Sequence, residues 1–194
     1  MRGHAALLLL ALGACTAEGE PATGAAAAEH RAADRPTLEA AAARLPAEVA
    51  GFTRGDFSWY ERDQPGFGVG ADYAGPARAA VATVSLYDRG RQVDGTTLAD
   101  ELSVAVGEVI AASQARTSQV LTERERTNVA VSDGTSLRCA RLAGTYGRQP
   151  LSTLVCLGPA AGRFLKVQVT MPARPVAPVD PVPFVQGIAE AMRG

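Results

Sequence analysis

Cysteine, histidine, lysine and clustered carboxylates are the side chains of this 194-residue chain that could do chemistry, and they are sparse. The cysteines are Cys15, Cys139 and Cys156, and the histidines are His4 and His30. Both histidines precede the segment that reads as folded. Without one there, neither a Ser-His-Asp nor a Cys-His arrangement can form. No nucleophile elbow, H-E-x-x-H, phosphate loop or EF-hand pattern occurs. Gly66, Gly68 and Ala71 match G-x-G-x-x-A, and Asp88 follows at the distance of a ribose contact. An extended run rather than a helix follows those glycines, so they read as a loop and a strand start. Two cysteines without a nearby histidine make a poor metal site. The expectation is no catalytic residue, no cofactor and no metal, hence a non-enzymatic chain.

Paired carboxylates are the exception, because they support glycoside hydrolysis without histidine. Asp56, Glu61 and Asp63 cluster beside Trp59 and Tyr60, and aromatics of this kind line sugar sites. The plainer reading of FSWYERD is an amphipathic strand or loop with a solvated face. Lys166, the only lysine, alternates with Leu165 and Val167 and reads as an exposed strand residue. Arg124, Arg126, Arg138 and Arg141 suggest a basic patch, but Glu123 and Glu125 offer cross-strand partners. A net charge of -1 argues against nucleic acid, whose binders carry a basic excess to neutralise phosphates.

Cys15 differs from the other two cysteines in its setting. Arg2 is followed by an apolar run from Ala5 to Ala14, too short for a membrane-spanning helix, which needs about 20 residues. This layout is that of a secretory signal. Its end, Leu12-Gly13-Ala14-Cys15, resembles the lipobox of bacterial lipoproteins. The competing reading is an ordinary secretory signal with an incidental cysteine. The resemblance implies a diacylglyceryl thioether on Cys15 and cleavage just before it. Acylation of the new amine, as with palmitate, then follows. Residues 1–14 would be the signal peptide, and the lipid bilayer would be a partner through Cys15. Thr16 stands where aspartate would favour the inner membrane, so the resemblance points to the outer membrane, facing the periplasm.

Residues 15–36 are Ala-rich and lack large apolar side chains. They cannot bury enough surface to fold and read as a flexible tether containing His30. Residues 37–194 read as a single α/β domain.

An exported domain meets an oxidising compartment, where Cys139 and Cys156 are expected to pair. If Gly147-Arg148 is a two-residue type II′ turn, Tyr146 faces Gln149. Counting outward then sets Cys139 opposite Cys156, at a non-hydrogen-bonded position where side chains lie closest. Pro150 falls opposite Thr145, where its missing N–H is harmless. The expectation is a cross-strand disulfide with Cα atoms about 4.4–6.8 Å apart.

The remaining pattern supplies the scaffold. Thr37 can cap a short helix that Pro46 stops. Gly68–Tyr73 alternates, and Ala79–Tyr87 is apolar enough for a strand covered on both faces. Thr97 opens a helix to about Ser113, with Leu98, Leu102, Val106, Val109 and Ile110 on one face. Val120–Arg126, Leu137–Tyr146, Leu151–Leu157 and Phe164–Met171 read as an antiparallel meander. Asp180 and Pro181 open a last helix with Phe184, Val185, Ile188 and Met192 as its stripe.

This order predicts an α+β fold, an antiparallel sheet with helices packed on both faces. VATVSLYDRG, the helix from Thr97, the Tyr146-Gly147-Arg148 hairpin and FLKVQVTMP together resemble the PsbP-like α/β/α sandwich. That fold is shared by photosystem extrinsic subunits, a nuclear-import factor and small bacterial lipoproteins, over residues 46–194 here. The resemblance implies a non-catalytic binding or assembly domain, with an envelope protein or small ligand as partner. The alternative is a carbohydrate-active envelope hydrolase using carboxylates near Asp56–Asp63.

Overall fold

The computed structural model describes residues 35–117, 119–174 and 179–193. The chain divides into two units, Met1–Asp34 and Arg35–Gly194, and the described residues all belong to the second. The lipobox, Cys15 and His30 lie outside the described residues.

Helix α1 (Leu38–Ala42) is capped by Thr37, whose hydroxyl accepts from the Ala40 N–H at 3.1 Å. Four strands follow: β1 (Glu48–Val49), β2 (Phe52–Trp59), β3 (Val69–Ala74) and β4 (Val81–Tyr87). Helix α2 (Gly95–Thr117) then leads to β5 (Gln119–Ala130), β6 (Ser136–Tyr146), β7 (Gln149–Ala160) and β8 (Arg163–Pro172), and α3 (Pro181–Ala191) closes the order. The eight strands form one sheet in the order β1-β2-β3-β4-β8-β7-β6-β5. Every pairing is antiparallel. Two meanders thus meet at the central β4–β8 pair, and α2 carries the chain from the centre to the β5 edge.

This corrects the expected α/β/α sandwich. The body is an eight-stranded antiparallel sheet curled into a half-barrel, with few helices rather than a helical layer on each face. The reason lies in element lengths. β5 to β8 run 12, 11, 12 and 10 residues, and long antiparallel strands twist and curl. Against them α1 has 5 residues and α3 has 11, too few to make a layer. α2 packs on β5, β6 and β7, and α3 meets β3 from the other face, where the Phe184 ring stands 5.1 Å from Tyr73, so β3 and β4 are left partly open on the α2 side. β4 is accordingly not covered on both faces. Ala82, Val84 and Leu86 are buried, whereas Val81 is 60% exposed.

Two buried clusters lie on opposite sides of the sheet. One gathers Phe52, Tyr73, Val84, Leu154, Val167 and Val169 around Phe184, Val185 and Ile188 of α3. Ring centroids of Phe52 and Phe184 stand 4.3 Å apart. Asp180 caps α3 by accepting from the Val182 N–H, with Pro181 at the first position. The other cluster holds Leu98, Leu102, Val106 and Val109 of α2 against Leu142, Val155, Leu157 and Phe164. The cap of α2 is Asp94 rather than Thr97. Asp94 Oδ1 accepts from the N–H groups of Thr96 and Thr97, and Thr97 Oγ1 accepts from the Asp94 N–H in return. This reciprocal capping box starts the helix at Gly95, before the expected Thr97.

Candidate ligand groove

The open end of the sheet face under α2 forms a groove of about 430 Å³. Its floor follows from register. In antiparallel ladders, directly opposed residues share a face. Thr83 is opposed to Asp72 on one side and Gln168 on the other, while Ser85 is opposed to Gly70 and Lys166. Thr83 Oγ1 donates to Asp72 Oδ1 at 2.9 Å. One wall is Tyr60, from the 3-10 turn Tyr60–Arg62 after β2. Its ring lies so near Gly70 that a Cβ there would come within 3.1 Å of it. Glycine at 70 thus leaves the ring its place on the sheet. The opposite wall is the later half of α2, with Glu108, Val109 and Ala112.

Charges meet at one end of this groove. Glu101 points inward from α2 and is 0% exposed. An isolated buried carboxylate would be costly, so its neighbours are cations. Arg89 Nε stands 3.2 Å from Glu101 Oε1, and Arg91 donates to Oε2 at 3.1 Å. The Arg89–Glu101 contact is close but not aligned as a hydrogen bond, and the buried Tyr87 hydroxyl beside it has no hydrogen-bond partner among the described residues. Arg89 also donates to both Glu108 oxygens, at 2.7 and 2.9 Å. Its guanidinium lies over the rings of Tyr87 and Phe67. Burial, with Glu101 beside it, raises the Tyr87 phenol far above its ordinary range. The cluster fastens α2 to the end of β4.

Lys166 sits next to this cluster on the groove floor. Its ammonium is 5.7 Å from the Tyr87 ring centroid. Burial lowers its pKa, partly offset by Glu108. The expected exposed lysine is therefore a half-buried one. Alternation placed it on the correct face, but the proximity of α2 to that face is a tertiary fact that no strand pattern carries. Glu101 falls three residues after Leu98, on the apolar stripe of the helix. That spacing was the available signal.

The carboxylates proposed for hydrolysis do not line the groove. Glu61 accepts from the N–H groups of Gly66, at 2.9 and 3.0 Å, and Gly68, at 2.8 Å. It clamps the loop before β3. Asp56 and Asp63 are exposed. Trp59 packs partly buried against the α3-side cluster. Gly66 and Gly68 have φ of +87° and +66°, and a Cβ at Gly68 would fall 1.8 Å from the Leu86 carbonyl oxygen. These glycines serve a tight loop, and Asp88 pairs with Arg35.

Cys139 and Cys156 are opposed on β6 and β7, with Tyr146 facing Gln149 and Thr145 facing Pro150. A disulfide joins them, with Cα atoms 4.0 Å apart. That is shorter than the expected span, because non-hydrogen-bonded sites are the close-approach sites of an antiparallel pair. The arginines divide: Arg126 pairs with Glu123 at 2.6 Å, and Arg141 with Glu125 across strands at 2.9 Å. Among the described residues, no group of three or more metal-ligating side chains converges, and no helix is long and apolar enough to cross a membrane.

No family model matches this chain. No curated protein matches it either.

Proposed function

We propose that this chain is an envelope lipoprotein, anchored through acylated Cys15, whose body is a non-catalytic binding domain. The observation that carries this reading is the run Leu12-Gly13-Ala14-Cys15 at the end of a short apolar segment. The Cys139–Cys156 disulfide supports an oxidising compartment, where such bonds persist. The open groove beside Lys166 supports binding, since ligand sites are concave and carry a few placed polar groups. The segment from Cys15 to the start of the body at Arg35 would tether it to the outer membrane from the periplasmic side. A lipid anchor is physically sufficient: each buried CH₂ contributes about 0.8 kcal/mol, and two or more chains hold firmly.

Cys15→Ser tests the anchor. The native protein is expected to incorporate labelled fatty acid and to sediment with membranes. The variant should lose the label and appear in the soluble envelope fraction. Retention of the variant on membranes after a high-salt wash would overturn the anchor.

A further inference from the structure

Lys166 is a charged group on the groove floor. Among the described residues its ammonium makes no hydrogen bond or ion pair, and it stands 5.7 Å from the centroid of the Tyr87 ring. The neighbouring cations are engaged differently: Arg89 is held by Glu101 and Glu108, and Arg91 by Glu101. Desolvating an ammonium without a partner is unfavourable. A partner arriving from solution would repay that cost.

The groove also says what kind of anion fits. Glu108 stands in one wall, paired with Arg89, and the exposed Asp72 on the floor accepts from the Thr83 hydroxyl. Arg89 offsets the Glu108 charge, so Asp72 is the carboxylate left to oppose an anion here, and it repels a dianion such as phosphate about twice as strongly as a monoanion. A monoanion bearing hydroxyls would instead use these carboxylates as acceptors. Gln168 lies two residues along β8 from Lys166, about 7 Å away on the same face, with an amide that both donates and accepts. That spacing is of the order of one sugar ring. Tyr60, 51% exposed, supplies an aromatic surface at the far wall, and an amphipathic ring there suits the apolar face of a pyranose.

We propose that the groove binds a saccharide carrying a single carboxylate, with Lys166 engaging the carboxylate and Asp72 and Gln168 the hydroxyls. This deepens the binding reading above and is independent of the lipid anchor.

The test compares N-acetylmuramic acid with N-acetylglucosamine, which lacks the lactyl carboxylate, by titration calorimetry on the full-length protein. One charge-assisted hydrogen bond predicts about tenfold tighter binding of the acidic sugar. Lys166→Gln should remove that preference, and Lys166→Arg should keep most of it. The wild-type protein offers a variant-free readout, because Lys166 is its only lysine. After reductive methylation with a 13C reagent, the single lysine side-chain signal should shift on adding the acidic sugar but not the neutral one. Equal affinity for the two sugars, or no saturable binding of either, would overturn the proposal. So would an unchanged preference in Lys166→Gln, or inorganic phosphate displacing the acidic sugar at equal concentration. None of these outcomes depends on whether Cys15 is acylated.

Discussion

Asp88 shows how one side chain joins distant parts of the chain. Burial acts to raise its pKa, but hydrogen bonds from Arg35 and from the Gly90 N–H outweigh it, and the net shift is downward. The Gly90 bond is 2.7 Å long and closes the turn that leaves β4. Arg35 comes from 53 residues earlier, and next to it the buried Arg163 donates to the Pro36 carbonyl at 3.0 Å. The start of the described chain is therefore fixed to the β4 and β8 ends. A carboxylate with a depressed folded pKa stabilises the fold above its unfolded pKa, about 3.9. That contribution disappears as pH falls through the folded value. Asp88→Asn keeps an acceptor for Gly90 but removes the charge. Its side chain is 20% exposed, so solvent screening limits the loss to about 1 kcal/mol at neutral pH. Urea unfolding measured at a series of pH values should show that gap narrowing below about pH 4. A constant gap across the whole acid range would show that charge is not what Asp88 contributes.

At the scale of elements, the β6–β7 hairpin was the most legible part of the sequence. Its register is set by local turn chemistry, with Gly147 at φ +57°, and by the placement of Pro150. Both cysteines are fully buried, so the bridge adds to a register that the turn already imposes. Replacing both cysteines by alanine should cost about 2–5 kcal/mol in chemical denaturation. Amide and Cα-proton contacts in NMR should still pair Tyr146 with Gln149. A slipped register in the double variant would mean that the bridge, not the turn, aligns the strands. Other elements were less legible for reasons that can be named. β2 was legible only at its end, in the Phe57–Trp59 part of FSWYERD, because a register shift between Arg54 and Phe57 breaks the period-two pattern. The start of α2 was placed late because Thr97 is half of a capping box whose other half is Asp94. The groove was not legible at all, since it needs Tyr60, β4, β8 and α2 together, and no local pattern specifies that meeting.

The whole body is organised by strands that serve both sides of one sheet. Order along the chain suggested helical layers, yet the long strands curl, and α1 and α3 are too short to form a layer over them. β7 gives Leu154 and Cys156 to the α3-side cluster and Val155 and Leu157 to the α2-side cluster. β6 divides Leu137 and Cys139 from Ala140 and Leu142 in the same way, and β8 divides Leu165 and Val167 from Phe164. Neither cluster can dissolve while these strands remain paired, because losing one face strips apolar support from strands the other face needs. The body should therefore unfold in one cooperative transition. Trp59, the only tryptophan, packs against the α3-side cluster, and its fluorescence reports that side alone. Leu102→Ala removes a buried side chain from the α2 side and should cost about 2–5 kcal/mol, and Phe184→Ala on the opposite side about 3–5. Both variants are expected to move the urea midpoint seen by Trp59 fluorescence and the midpoint seen by far-ultraviolet circular dichroism together. The decisive variant is Leu102→Ala, because Leu102 is on the side of the sheet that Trp59 does not report. If its dichroism midpoint fell while the Trp59 midpoint stayed, the two clusters would be independent cores, and shared strands would not be what makes the body one unit.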